Sequence, residues 1–145
     1  PLLRRWTIDT LGTTDSVSEE LLDDLPGEFP RTDDRYMTRK HRHTWRVGDA
    51  AGGLKFNRLI HHDLVTGTRK MWGADHYMLG EPVFAPRSSD APEADGYLIM
   101  LANDLRSSLT ELLVFDPLSI DDGPLCRTRL PLRIPAGFHG SWVGH

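Results

Sequence analysis

Three short stretches of this sequence each set one chemically capable side chain among glycines, prolines and aromatics. They are Gly27-Glu28-Phe29-Pro30-Arg31, Gly80-Glu81-Pro82-Val83-Phe84-Ala85-Pro86-Arg87 and Gly137-Phe138-His139-Gly140-Ser141-Trp142. The first two nearly repeat each other. Glu81 follows Glu28 by 53 residues and His139 follows Glu81 by 58, near the ~40 to 50 residue period of four-stranded propeller blades. A side chain that recurs once per blade on the innermost strand faces the central channel, where successive copies converge. Two carboxylates and an imidazole brought together in this way point to a metal site.

The elements that position these residues read as strands. Leu2 to Asp9, Lys55 to Leu64, Thr68 to Trp72, Glu81 to Pro86, Gly96 to Ala102, Leu109 to Asp116 and Cys126 to Leu130 are short apolar or alternating runs, separated by Gly, Pro, Asp and Ser clusters. Asp63-Leu64-Val65-Thr66-Gly67 is a turn signal between two of them. Ser18 to Leu25 is the one stretch that predicts helix, a turn or two stopped by Pro26 and Gly27. The pattern predicts an all-β sandwich, barrel or propeller, and periodicity does not choose among them.

At 145 residues, 39% hydrophobic and 26% charged, the chain has the composition of a single globular domain with one modest core. The six residues Tyr97 to Ala102 form its longest apolar run, far below the ~20 needed to cross a bilayer. A net charge of −4 with scattered Lys and Arg argues against nucleic acid as a partner. The single cysteine, Cys126, leaves no internal disulfide, which fits a cytoplasmic location; it reads as a small buried hydrophobe.

In their order, the three motifs resemble the last third of the carotenoid oxygenase family, which includes carotenoid cleavage and lignostilbene dioxygenases and retinoid isomerases. Supporting segments run nearly end to end: Lys40-His41-Arg42-His43-Thr44-Trp45, Phe56-Asn57-Arg58-Leu59-Ile60-His61-His62-Asp63-Leu64, Asp95-Gly96-Tyr97-Leu98 and Leu130-Pro131-Leu132-Arg133-Ile134-Pro135. The resemblance implies the carboxyl-terminal two to three blades of a seven-bladed β-propeller, with residues 1–145 as one partial domain. It implies Fe(II) on the propeller axis, held by histidines, and cleavage of an alkene in an apolar polyene or stilbene-like substrate by dioxygen.

Carried over by position, His139 resembles the family's final iron-ligating histidine. Glu28 and Glu81 resemble carboxylates that accept the outer ring N–H of ligand histidines, fixing tautomer and orientation. Phe29, Phe138 and Trp142 are candidates for the wall of a substrate tunnel, although core packing is the commoner role for aromatics, as it is for Trp6, Trp45 and Trp72. No residue of the chain is given a further catalytic role, and the remaining histidine ligands are expected in amino-terminal blades outside these residues. The chain alone is therefore expected to be inactive.

The other histidines are weaker candidates. His41 and His43 share a face if their segment is extended, whereas His61 and His62 point to opposite faces of a strand and read as surface or turn residues. His76 carries no motif, and His145 lies six positions after His139. Arg31 and Arg87 are expected to pair with nearby aspartates such as Asp33 and Asp34, adding little stability. A different class of reading is a non-catalytic propeller fragment whose unclosed strand edges pair with another chain. A calcium-dependent propeller enzyme would need clustered oxygen ligands, where the last motif offers histidine.

Overall fold

The computed structural model describes residues 1–12, 16–51, 53 and 55–144; His145 lies outside them. Within these, alternating and apolar runs pair into two antiparallel sheets, one of four strands and one of five, preceded by a hairpin. The hairpin joins β1 (Leu3–Ile8) to β2 (Val17–Asp23). The predicted helix at Ser18 to Leu25 is thus a strand. A turn or two of isolated helix has too little length to offset nucleation, whereas as a strand this segment matches Arg4 to Glu19 at 2.9 Å and Arg5 to Glu20 at 3.2 Å across the hairpin.

The first sheet follows chain order: β3 (Gly27–Arg31), β4 (His43–Gly48), β5 (Arg58–Asp63) and β6 (Arg69–Gly73). In the second, β7 (Tyr77–Leu79) and β8 (Val83–Pro86) lie end to end along β9 (Gly96–Asp104), followed by β10 (Leu109–Phe115) and β11 (Cys126–Arg129). The β7 and β8 pair takes the place in the second sheet that β3 takes in the first. The β3, β4 and β7 strands have no counterpart among the strands expected from sequence, and β5 begins at Arg58 rather than Lys55.

The two sheets pack face to face. Trp45, Val47 and Leu59 from the first meet Phe84, Leu98, Met100, Leu113 and Phe115 from the second. The Trp45 and Phe84 rings stack with centroids 5.5 Å apart, and the Trp45 indole N–H donates to the Pro117 carbonyl at 2.9 Å, so its one polar atom is satisfied. Trp45 is fully buried, but Trp6 is 63% exposed and Trp142 51% exposed; these two do not pack a core. Cys126 is also exposed, because β11 is the outer edge of its sheet.

His61 and His62 are both buried rather than at the surface, and strand alternation sends them to opposite faces as expected. His62 approaches Asp23 at 3.2 Å. That carboxylate also accepts from Arg46 and Arg69, each at 2.6 Å, and from the Leu25 N–H at 2.9 Å, tying the hairpin to the first sheet. Burial opposes the Asp23 charge, yet the Leu25 and Arg46 hydrogen bonds and the two guanidinium charges hold its carboxyl below its usual range.

His61 faces the core, where its Nε2 lies 3.0 Å from Nδ1 of buried His43 and its ring stacks on Trp45. Burial first, and then neighbouring His43, push the His61 imidazole down to about 4; Asp63 opposes this shift and Lys70 adds to it. An unfolded histidine titrates near 6.5, so the unfolded chain binds the extra proton first. Stability is therefore full above about pH 6.5 and falls as pH drops towards 4, by up to about 3 kcal/mol. Urea unfolding at pH 5 and pH 7.5 measures this loss, and a His61→Gln variant, which cannot titrate, is expected to lose less between the two.

Candidate functional site

Both glutamate motifs sit where the innermost strand takes one residue more than its neighbour. From Glu28 to Arg31, β3 advances three steps while its partners on β4, Val47 to Trp45, advance two. From Leu79 to Val83 the chain advances four steps while β9, Ala102 to Ile99, advances three. Each is a β-bulge, which breaks the ladder and re-aims a side chain. Pro30 and Pro82, which cannot donate to a ladder, are tolerated in these interruptions. Phe29 sits in the first bulge with φ of 53°, a left-handed conformation that is uncommon for a bulky residue and clusters at functional sites.

The second bulge presents Glu81, whose side chain is only 6% exposed. One carboxylate oxygen lies 3.2 Å from His139 Nδ1 and the other accepts the Gly140 N–H at 2.8 Å. A segment 58 residues away in sequence is thereby fixed to the bulge. Thr110 secures the approach to it, its hydroxyl oxygen accepting the Ile134 N–H at 2.7 Å. No strand is formed after Arg129 among the described residues, although the Leu130 N–H donates to the Thr110 carbonyl at 2.8 Å and the Leu132 carbonyl accepts the Thr110 N–H at 3.3 Å. The Phe29 ring meets His139 edge to face, with centroids 5.9 Å apart and planes at 89°, and also packs on Phe138 at 6.2 Å and Phe56 at 5.7 Å.

These residues line a cavity of about 430 Å³ between the final segment and the face of the second sheet turned away from Trp45. Glu81, Phe29, Phe138, His139 and Trp142 all reach it, with Ile99, Leu101 and Leu112 beneath. The arrangement is an apolar cleft with one imidazole and one carboxylate at its edge, the composition of a site for an apolar small molecule. Of the residues singled out from sequence, Glu28 alone stands apart. It is half-buried in its bulge and makes no hydrogen bond to His139 among the described residues.

Sequence reasoning missed Arg31's contact with Glu81 and the aromatic Phe56. Arg31 does pair with Asp34 at 3.1 Å as expected, and its Nη1 also lies 3.7 Å from Glu81; Arg87 pairs with Asp95 at 2.8 Å. The offset of Arg31 from Glu28 carried a signal, but its partner belongs to the other sheet. Phe56 lies in an irregular stretch before β5 with φ of 31°; it heads a supporting segment of the sequence, but nothing local placed it against Phe29. Among the described residues, no three His, Cys, Asp or Glu side chains gather as a complete metal site, and no helix is long and apolar enough to cross a membrane.

Comparison with known proteins shows the family. The family model described as retinal pigment epithelial membrane protein matches residues 1–144. The chain is 36% identical to lignostilbene-alpha,beta-dioxygenase isozyme III of Sphingomonas paucimobilis over 99% of its own length and 32% of that protein, and 33% identical to a carotenoid cleavage oxygenase of Mycobacterium tuberculosis over 99% and 29%. Among solved structures, lignostilbene dioxygenase of Pseudomonas brassicacearum superposes with a TM-score of 0.87 at 38% identity, covering 99% of this chain and 32% of that one. The cobalt-substituted apocarotenoid oxygenase of Synechocystis superposes with a TM-score of 0.91 at 27% identity, over 99% and 30%. The chain thus spans about a third of the length of these relatives, and its two sheets are blades of an all-β propeller. A family model that matches residues 1–144, with relatives at 33% and 36% identity over 99% of the chain, means that this chain belongs to the carotenoid oxygenase family.

Proposed function

We propose that these residues are the carboxyl-terminal segment of a non-haem Fe(II) dioxygenase that cleaves a carbon–carbon double bond in an apolar polyene or stilbene-like substrate. The observation that carries the reading is the Glu81 contact with His139 Nδ1 at 3.2 Å. An ionised carboxylate only accepts hydrogen bonds, so Nδ1 holds the ring proton and Nε2 keeps its lone pair for a metal. The residues present fit iron in this respect: an imidazole oriented by a carboxylate is a common transition-metal donor. When bound, Fe(II) supplies the oxygen chemistry of alkene cleavage.

The chain's own residues do the rest of what is assigned here. Glu81 holds the His139 tautomer, the Gly140 contact fixes the backbone behind it, and Phe29 limits rotation of the ring through its edge-to-face contact. Ile99, Leu101, Leu112, Phe138 and Trp142 give the cavity an apolar wall that excludes water from a bound alkene. Glu28, in the equivalent bulge, is read as orienting a histidine ligand contributed from outside these residues. The relatives' names, lignostilbene dioxygenase and carotenoid cleavage oxygenase, agree with this substrate class.

One histidine does not hold a catalytic iron, so the further ligands belong to amino-terminal blades, and residues 1–145 act as one part of a larger propeller domain. A second reading is a non-catalytic fragment that pairs with another chain. The strandless final segment favours it, with Phe138 75% and Val143 71% exposed, as does the hairpin, where Trp6 is 63% and Ile8 64% exposed.

Iron content separates the two. After anaerobic Fe(II) loading, the full-length protein containing these residues is expected to hold about one iron per chain and this segment alone far less. A His139→Ala substitution is expected to lower iron affinity in the full-length protein severely; unchanged iron content in that variant overturns the ligand assignment. The cavity is tested separately by trans-stilbene binding, followed by fluorescence. Phe138→Ser is expected to weaken it by about tenfold, the scale of one aromatic side chain's burial, and equal affinity would remove Phe138 from the wall.

A further inference from the structure

We infer that Arg31 is a positioning residue that acts through Glu81 on His139, an inference that rests on the reading of His139 as a metal ligand. Arg31 ends β3 just past the first bulge, and its Nη1 lies 3.7 Å from Glu81 Oε2 in the second. That separation is a charge contact rather than a hydrogen bond. It joins two side chains that are only 18% and 6% exposed, where solvent screens little. The other half of the guanidinium reaches Asp34, a carboxylate 45% exposed, and a pair of that kind contributes little. Arg31 Nε is buried with no acceptor among the described residues, a cost that a purely superficial ion pair does not explain.

The charge at Arg31 has a specific task. Glu81 is nearly buried and meets the His139 ring and the Gly140 amide. A buried carboxylate needs a compensating charge, and Arg31 is the cation that the structure puts beside it. With that charge in place, Glu81 keeps both acceptor contacts and the His139 proton stays on Nδ1; without it, the carboxylate gains by swinging towards water and releasing both. The bulge of the first blade thereby controls the ligand held by the bulge of the second. The corresponding arginine of the second motif, Arg87, instead meets Asp95 and the Tyr97 hydroxyl at an exposed edge, so the motif's arginine has this role only in the first repeat.

The test is made on the metal-free full-length protein containing these residues, by nitrogen-15 NMR of the His139 ring and hydrogen exchange of the Gly140 amide, with Co(II) affinity of the same protein as a separate readout. Arg31→Met is expected to shift the His139 signals away from the Nδ1–H tautomer, to speed Gly140 exchange by about tenfold, and to weaken Co(II) binding by about tenfold, the scale found for groups that orient metal ligands. Arg31→Lys, which keeps the charge, is expected to retain the tautomer. Asp34→Asn, which removes only the exposed partner, is expected to leave all three unchanged. Amide protection across β9 and β10 reports whether each variant is folded; should Arg31→Met lose it, Arg31→Lys decides, and loss of the tautomer there overturns the inference. A wild-type His139 spectrum in folded Arg31→Met, or the same shift in Asp34→Asn as in Arg31→Met, also overturns it. A shifted spectrum in Arg31→Met together with full iron content in His139→Ala upholds the Arg31 link and overturns the ligand reading alone.

Discussion

The site depends on one extra residue in the innermost strand of each sheet. Had β3 continued in register past Glu28, or β7 run unbroken into β8, each glutamate would alternate with its neighbours and point along the face of its sheet. The bulges break that alternation. The second leaves Glu81 free to spend both oxygens on a distant segment, at His139 Nδ1 and the Gly140 amide. Proline in each motif keeps the ladder from closing again. The strain this requires is visible at Phe29, held with φ of 53°, and is repaid locally by ring contacts with Phe56, Phe138 and His139.

A bulge positions a side chain only if the strands beside it are rigid, and that rigidity comes from the packed faces of the two sheets. Trp45, opposite Arg31 on β4, is fully buried, stacked on Phe84 two residues past Pro82 and hydrogen-bonded to Pro117. The same indole therefore braces the strand next to the first bulge and the strand just after the second. The contact between Arg31 and Glu81 spans the same junction on its polar side. Core and site are two sides of one interface, and the buried histidine pair beside Trp45 makes that interface sensitive to acid.

Much of this was legible in the sequence because it depends on residue type at fixed spacing. Glu28, Glu81 and His139 are marked by their glycine, proline and aromatic neighbours, and the all-β character follows from short alternating runs. What escaped notice depends on tertiary context. Ser18 to Leu25 has acidic residues and leucines in a pattern that reads as helix, but cross-strand arginines on β1 turn the same acids into hairpin partners. His61 and His62 look like polar surface residues until β4 and the Asp23 carboxylate cover them. The Arg31 contact with Glu81 crosses 50 residues of chain, and no local pattern encodes it. Glu28 shows the reverse: its motif is as clear as that of Glu81, yet no histidine among the described residues meets it.

That asymmetry between two equivalent carboxylates bears on how the larger protein is built. After β6, an edge strand of the first sheet, the chain returns along the opposite edge of the second with Glu81; after β11, the edge strand of the second, it returns once more, and the residue carried is His139. Glu81 thus orients a histidine from the segment that follows its own blade. Glu28 has no such partner in the next innermost segment, since that position is occupied by Glu81 itself. On the proposed reading, its imidazole comes from outside these residues. A propeller can meet that demand because it closes on itself, bringing strands remote in sequence to a common centre.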